Sequence, residues 1–120
     1  MIDLWDIRYV RLGTRDLVGA TRYARDVVGL ELSHEERGQH YFRSDGRDHT
    51  LVYFEGDPAD HTVAFEVRDK KELDAAASVL EDQNIAVHAG TSQECEERHV
   101  GAMVNFRDPS GNELAVFTED

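Results

Sequence analysis

The chain has 120 residues, with 25 Asp and Glu against 13 Lys and Arg, a formal net charge of −12 and a single cysteine. One domain of this length can bury a real core. The acidic excess excludes nucleic acid and anionic membrane surfaces, which both demand a basic patch, and no apolar run approaches the ~20 residues of a membrane span. The first ten residues already hold Asp3, Asp6 and Arg8, unlike a secretory leader, and a lone cysteine forms no internal disulfide, so a reducing cytoplasm is the expected home.

Trp5 precedes the first strand and is expected to pack over a sheet edge or an interface. Ile7–Thr14 alternates, with Ile7, Tyr9 and Arg11 on one face and Arg8, Val10, Leu12 and Thr14 on the other. Asp16 is placed to cap a helix over Asp16–Val28, whose stripe would be Leu17, Ala20, Ala24, Val27 and Val28. Gly19 weakens that helix by about 1 kcal/mol relative to Ala, and Gly29 is positioned to end it. Leu30–Glu36 and His40–Arg43 read as strands around an Arg37-Gly38 turn, and His49–Glu55 as the next strand.

Gly56–Asp60 is a linker. Thr62–Val67 begins again as a strand, and Asp69 with Glu72 suits a capping box for a helix that buries Leu73, Ala76, Ala77 and Leu80 and ends at Asn84. Ile85–His88 reads as a strand and Gly90–Gly101 as a polar surface loop. Met103–Phe106 and Glu113–Glu119 follow as strands around the turn formers Asp108 to Asn112.

These pieces repeat. Phe42-Arg43 matches Phe106-Arg107, Gly46 matches Gly111, and Val10–Asp16 matches Val63–Asp69, each ending at the Asp that opens a helix. The chain therefore reads as one α+β domain, 1–120, of two tandem βαβββ modules, 7–55 and 62–119, with a curved mixed sheet and its helices on the outer face.

Two such modules, with Gly29-Leu30 after the first helix and the run Asp108–Leu114, resemble the vicinal oxygen chelate superfamily of glyoxalase I, bleomycin-resistance proteins and type I extradiol dioxygenases. The resemblance covers Ile7 to Glu119. It is closest to the N-terminal half of an extradiol ring-cleavage dioxygenase, on Tyr9–Gly13, Asp45–Val52, Ala64–Val67 and Gly90–Arg98 leading into Phe106–Gly111. It implies a C-terminal catalytic domain outside this chain, holding Fe(II) by two His and one carboxylate and cleaving an aromatic diol.

The superfamily's ligand points, carried over by position, fall on Tyr9, Thr50, Thr62 and Ala115. Two hydroxyls, a methyl and a phenol are not the imidazole and carboxylate that such a metal wants, so no metal or cofactor is expected in this chain and no catalytic residue is assigned. His49 and His61 each precede an expected point by one residue. A consistent slip of one would turn them onto the ligand face, with Arg8 and Leu114 at the other two points.

The remaining candidates carry less. Cys95 sits among Glu94, Glu96 and Glu97, whose charge disfavours a thiolate, within a stretch, Glu94–His99, that reads as a solvated face. Asp57, Asp60 and His61 offer a cation ligands without convergence. His34, His40, His88 and His99 are scattered and expected to be exposed, and Glu66 and Glu113 are isolated strand acids.

Three functions follow in order. The first is a metal-free N-terminal domain of an iron(II) extradiol dioxygenase of the catechol or biphenyl-2,3-diol type. The second is a stand-alone small-molecule-binding dimer of bleomycin-resistance type, whose acidity suits a cationic ligand. The third is a glyoxalase-type metal isomerase or lyase. Open sheet edges predict a homodimer or higher oligomer in each case.

Overall fold

The computed structural model describes residues 2–119. These form eight strands and three helices of mixed α+β type, divided into two compact units: Tyr9–Thr62, and residues 63–119 with residues 2–8.

In the Tyr9–Thr62 unit the strands run β2 (Glu31–Glu36), β3 (Gln39–Arg43), β4 (Leu51–Glu55), β1 (Asp6–Thr14, of which Tyr9 onward belongs here). β1 lies parallel to β4, while β3 is antiparallel to both β2 and β4. The β2–β3 turn puts Arg37 at φ 46° and Gly38 at φ 75°, two successive left-handed residues, which is the two-residue turn whose twist matches a hairpin.

The helix between β1 and β2 starts where the sequence places it. The Asp16 carboxylate accepts the Gly19 N–H at 2.9 Å. A Cβ on residue 19 would stand 2.3 Å from Asp16 Oδ2, so the glycine expected only to weaken the helix also makes room for its cap. The helix is α-wound over Leu17–Arg22 (α1) and π-wound over Tyr23–Val28, and Gly29 closes it at φ 86°. The expected apolar stripe is mostly not buried: Ala24 is, Leu17 and Ala20 are half-buried, and Val27 and Val28 are exposed. The i→i+5 winding adds roughly a residue per turn and rotates Val27 and Val28 off the line that an α-period gives them.

In the other unit the order is β5 (His61–Glu66, from Val63 on), β8 (Glu113–Thr118), β7 (Ala102–Arg107), β6 (His88–Ala89). α2 (Lys70–Asp82) is capped by Asp69, whose carboxylate accepts the Glu72 N–H at 2.9 Å, and it buries Leu73, Ala76 and Leu80. Leu73 and Ala76 join Val67, Val104 and Val116 in the core, with Phe65, Ala77 and Phe106 packed at its margin.

Two expectations fail here. The strand over Ile85–His88 shrinks to His88–Ala89, because Val87 packs against that core instead of continuing the ladder. The loop over Gly90–Gly101 contains a helix, α3 (Ser92–Arg98), opened by a reciprocal capping box between Thr91 and Glu94. Trp5 is exposed at the strand margin: its backbone N–H donates to the Glu66 carbonyl at 2.8 Å and the Arg68 guanidinium lies 5.9 Å from its ring.

Candidate functional site

Strand register gathers one polar and aromatic face in the Tyr9–Thr62 unit. Arg11 pairs with Val52, Val52 with Tyr41, and Tyr41 with His34, so these four side chains form a row across four strands. Two residues along, Gly13, Phe54, Gln39 and Glu36 form the next row on the same face. Tyr9 precedes Arg11 on that face and is buried, as the alternation of β1 requires.

The contacts follow from these rows. The buried Arg11 guanidinium donates to Gln39 Oε1 at 2.9 Å and lies 5.0 Å from the centre of the Phe54 ring. The Tyr41 hydroxyl donates to the same Gln39 oxygen at 3.2 Å. His34 stacks on Tyr41 with ring centres 4.2 Å apart and planes 16° from parallel. His49 is wedged between Tyr41 and Tyr9, at 5.2 and 4.7 Å. Arg11, Gln39 and Tyr41 are all buried, and both donors meet on one amide oxygen, so these contacts tie the strands together.

The ligand-equivalent positions occupy ordered backbone. Thr50 precedes β4, where its carbonyl accepts the Val10 N–H at 3.1 Å and its own N–H donates to the Phe42 carbonyl at 2.8 Å. Thr62 is buried on β5, and Ala115, in the other unit, is buried on β8.

The histidines depart from expectation. His49, expected to open a strand, lies before β4 and is buried, with Nδ1 2.7 Å from Asp48 Oδ2. His61 opens β5 with Nδ1 3.1 Å from the Ala59 carbonyl. His34 and His40 are half-buried on opposite faces of the sheet, His34 against Tyr41 and His40 bonded to Thr21 Oγ1 at 2.7 Å, because a strand's own alternation covers them. His88 and His99 are exposed as expected. His34 and Glu36, two apart on β2, are ligand-type side chains on one face, away from the family's ligand points.

Asp57 and Asp60 do not form a cation cradle with His61: Asp57 Oδ1 accepts the Ala59 N–H at 2.9 Å and Oδ2 pairs with Arg15 at 3.4 Å. Glu66 is buried and ion-paired to Arg8, which also reaches Glu119 at 2.8 Å. Cys95 is buried, and burial first, the Glu94 charge less so, pushes its thiol above the ordinary range, so it is a poor nucleophile chiefly for want of solvent. Arg11, Gln39 and Tyr41 were missed, although the alternation of Tyr9 and Arg11 was the visible signal.

Comparison with known proteins gives this geometry a context. The model of the family described as "Glyoxalase/Bleomycin resistance protein/Dioxygenase superfamily" matches residues 6–116. The chain is 29% identical over 119 residues to the biphenyl-2,3-diol 1,2-dioxygenase of Sphingomonas paucimobilis, covering 98% of this chain and 40% of that protein. It is 28% identical over 113 residues to an iron-dependent extradiol dioxygenase of Rhodococcus jostii (strain RHA1), covering 92% and 38%. A crystal structure of catechol 2,3-dioxygenase superposes with TM-score 0.86 at 25% identity, over 97% of this chain and 42% of that one. The chain thus spans about 40% of the length of the curated relatives it matches.

Proposed function

The chain belongs to the glyoxalase/bleomycin resistance protein/dioxygenase superfamily, and from that premise we propose that it is the N-terminal, metal-free domain of an iron(II)-dependent extradiol dioxygenase acting on a catechol or biphenyl-2,3-diol. The observation that carries the reading is the chemistry at the four ligand-equivalent positions. Tyr9, Thr50, Thr62 and Ala115 present a phenol, two hydroxyls and a methyl, a set that does not fit Fe(II), which takes imidazole and carboxylate in this class of site.

On this reading, ring cleavage belongs to a second domain, and the present one supports it and contributes contacts for assembly. Its polar and aromatic face around Arg11, Gln39 and Tyr41 is structural. The test is the coding sequence beyond codon 120. We expect a continuous frame of similar or greater length with two histidines and a carboxylate at the points where this chain has Tyr9, Thr50, Thr62 and Ala115. A stop codon with no such frame overturns the reading, as does ring-cleaved product from this chain alone after anaerobic loading with Fe(II).

A second reading, a stand-alone small-molecule-binding dimer, draws on the apolar side chains left exposed on the first helix, where Val18 is 70% and Val27 69% accessible. Analytical ultracentrifugation addresses it: a stable dimer of the isolated chain favours this reading, and a monomer at ~100 μM removes it.

A further inference from the structure

β6 is short, and what happens beside it is independent of the reading above. His88 and Ala89 pair with Asn105 and Val104, but Ile85–Val87 do not continue the ladder while β7 runs on to Arg107. The two segments line a cleft of about 690 Å³, within the roughly 300–1,000 Å³ typical of small-ligand sites.

The cleft has two kinds of lining. Ile85, Val87 and Phe106 give it an apolar part. Its charged lining is Glu94, Asp108 and Glu113 with Arg107 and the titratable His88, and Arg98 reaches Glu113 from alongside, which leaves a small acidic excess among the described residues. Arg107 is engaged elsewhere, donating from Nη1 to the Gly111 carbonyl at 2.8 Å.

Glu94 is fixed and ionised. Its Oε1 accepts the Thr91 N–H at 2.9 Å and lies 3.0 Å from His88 Nε2. The Thr91 backbone bond, then the His88 bond, hold its pKa down at about 2. Glu113 is half-buried and forms a long ion pair with Arg98, whose Nη2 stands 3.9 Å from its Oε1 while Nη1 donates to Asn105 Oδ1 at 2.9 Å. Two half-buried carboxylates beside an apolar wall favour one chemistry: a cation with a hydrophobic body.

We propose that this cleft binds a small organic cation of the arylalkylammonium class, its ring against Phe106 and Val87 and its ammonium at the carboxylates of Glu94 and Glu113. An anion is repelled there, and a neutral analogue keeps the apolar contact but loses the charge contribution.

The test is a titration of the ¹⁵N-labelled chain, followed by amide shifts, with phenethylammonium chloride, 2-phenylethanol and phenylacetate as probes. The ammonium probe is expected to give saturable shifts at His88, Glu94, Phe106 and Glu113, and Glu113→Gln to weaken it about tenfold. Raising salt from 50 to 500 mM should weaken the ammonium probe and leave the alcohol unchanged, a readout that needs no variant should Glu113→Gln fold poorly. Equal or tighter binding of the alcohol or the carboxylate at these amides overturns the proposal. So does the absence of saturable shifts with the ammonium up to ~20 mM, or an ammonium affinity indifferent to salt.

Discussion

The two helices that open the two units make the sharpest contrast in this molecule. Each follows a strand and is opened by an aspartate, Asp16 or Asp69, that accepts the N–H three residues on at 2.9 Å. After that first turn they diverge. α2 runs thirteen residues with regular winding and buries Leu73, Ala76 and Leu80 at helical spacing. The first helix changes to π winding at Tyr23, buries Ala24, and leaves Val18 70% and Val27 69% exposed. Similar apolar periodicities thus give different burial, because periodicity specifies a face only while the winding stays constant.

The contrast can be broken most directly at the buried stripe. Leu73→Ala should cost about 2–5 kcal/mol, read from urea unfolding, because it removes a core side chain that neighbours cannot fully replace. If the loss is under ~1 kcal/mol, α2 is not the anchored helix of the pair. The caps come next. Asp69→Ala and Asp16→Ala should each cost about 1 kcal/mol, and equal losses would place the divergence after the first turn, where the winding changes. Val27→Ser should shift stability by no more than ~0.5 kcal/mol in a monomer. A large loss that depends on protein concentration would mean that the exposed face is covered by association.

A smaller effect sharpens the account of α3. Glu94 has its pKa lowered to about 2 from 4.5, so its ionised form favours the folded state. That contribution is complete above the unfolded value and is lost as pH falls through about 4.5 towards 2. The melting-temperature gap between wild type and Glu94→Gln should therefore narrow over that window, and a gap independent of pH would contradict the assignment. The carboxylate is exposed enough for solvent to keep the effect modest.

Much of this was legible beforehand, and for identifiable reasons. Gly29 at φ 86° and the Arg37-Gly38 turn are signals of backbone chemistry, visible wherever a left-handed residue is needed. The caps at Asp16 and Asp69 were readable because a cap acts within three residues. α3 was missed although Thr91 and Glu94 carry the same capping signature, because seven residues around one buried side chain, Cys95, give no periodicity to find. Ile85–Val87 looked like strand because apolar content says a segment is covered without saying whether sheet or core covers it. The Arg11, Gln39 and Tyr41 arrangement depends on cross-strand register, which a single strand's alternation does not encode. The buried place of His49 was hidden for the same reason.

The central proposal is that this polypeptide carries the superfamily's scaffold while the iron chemistry belongs to another domain. Anaerobic incubation of the purified chain with Fe(II), gel filtration and elemental analysis test it. The account predicts no stoichiometric iron in the protein fraction and no paramagnetic broadening of amides near Tyr9, His34 or His49. One tightly held iron per chain, lost in His34→Ala or His49→Ala, would contradict it.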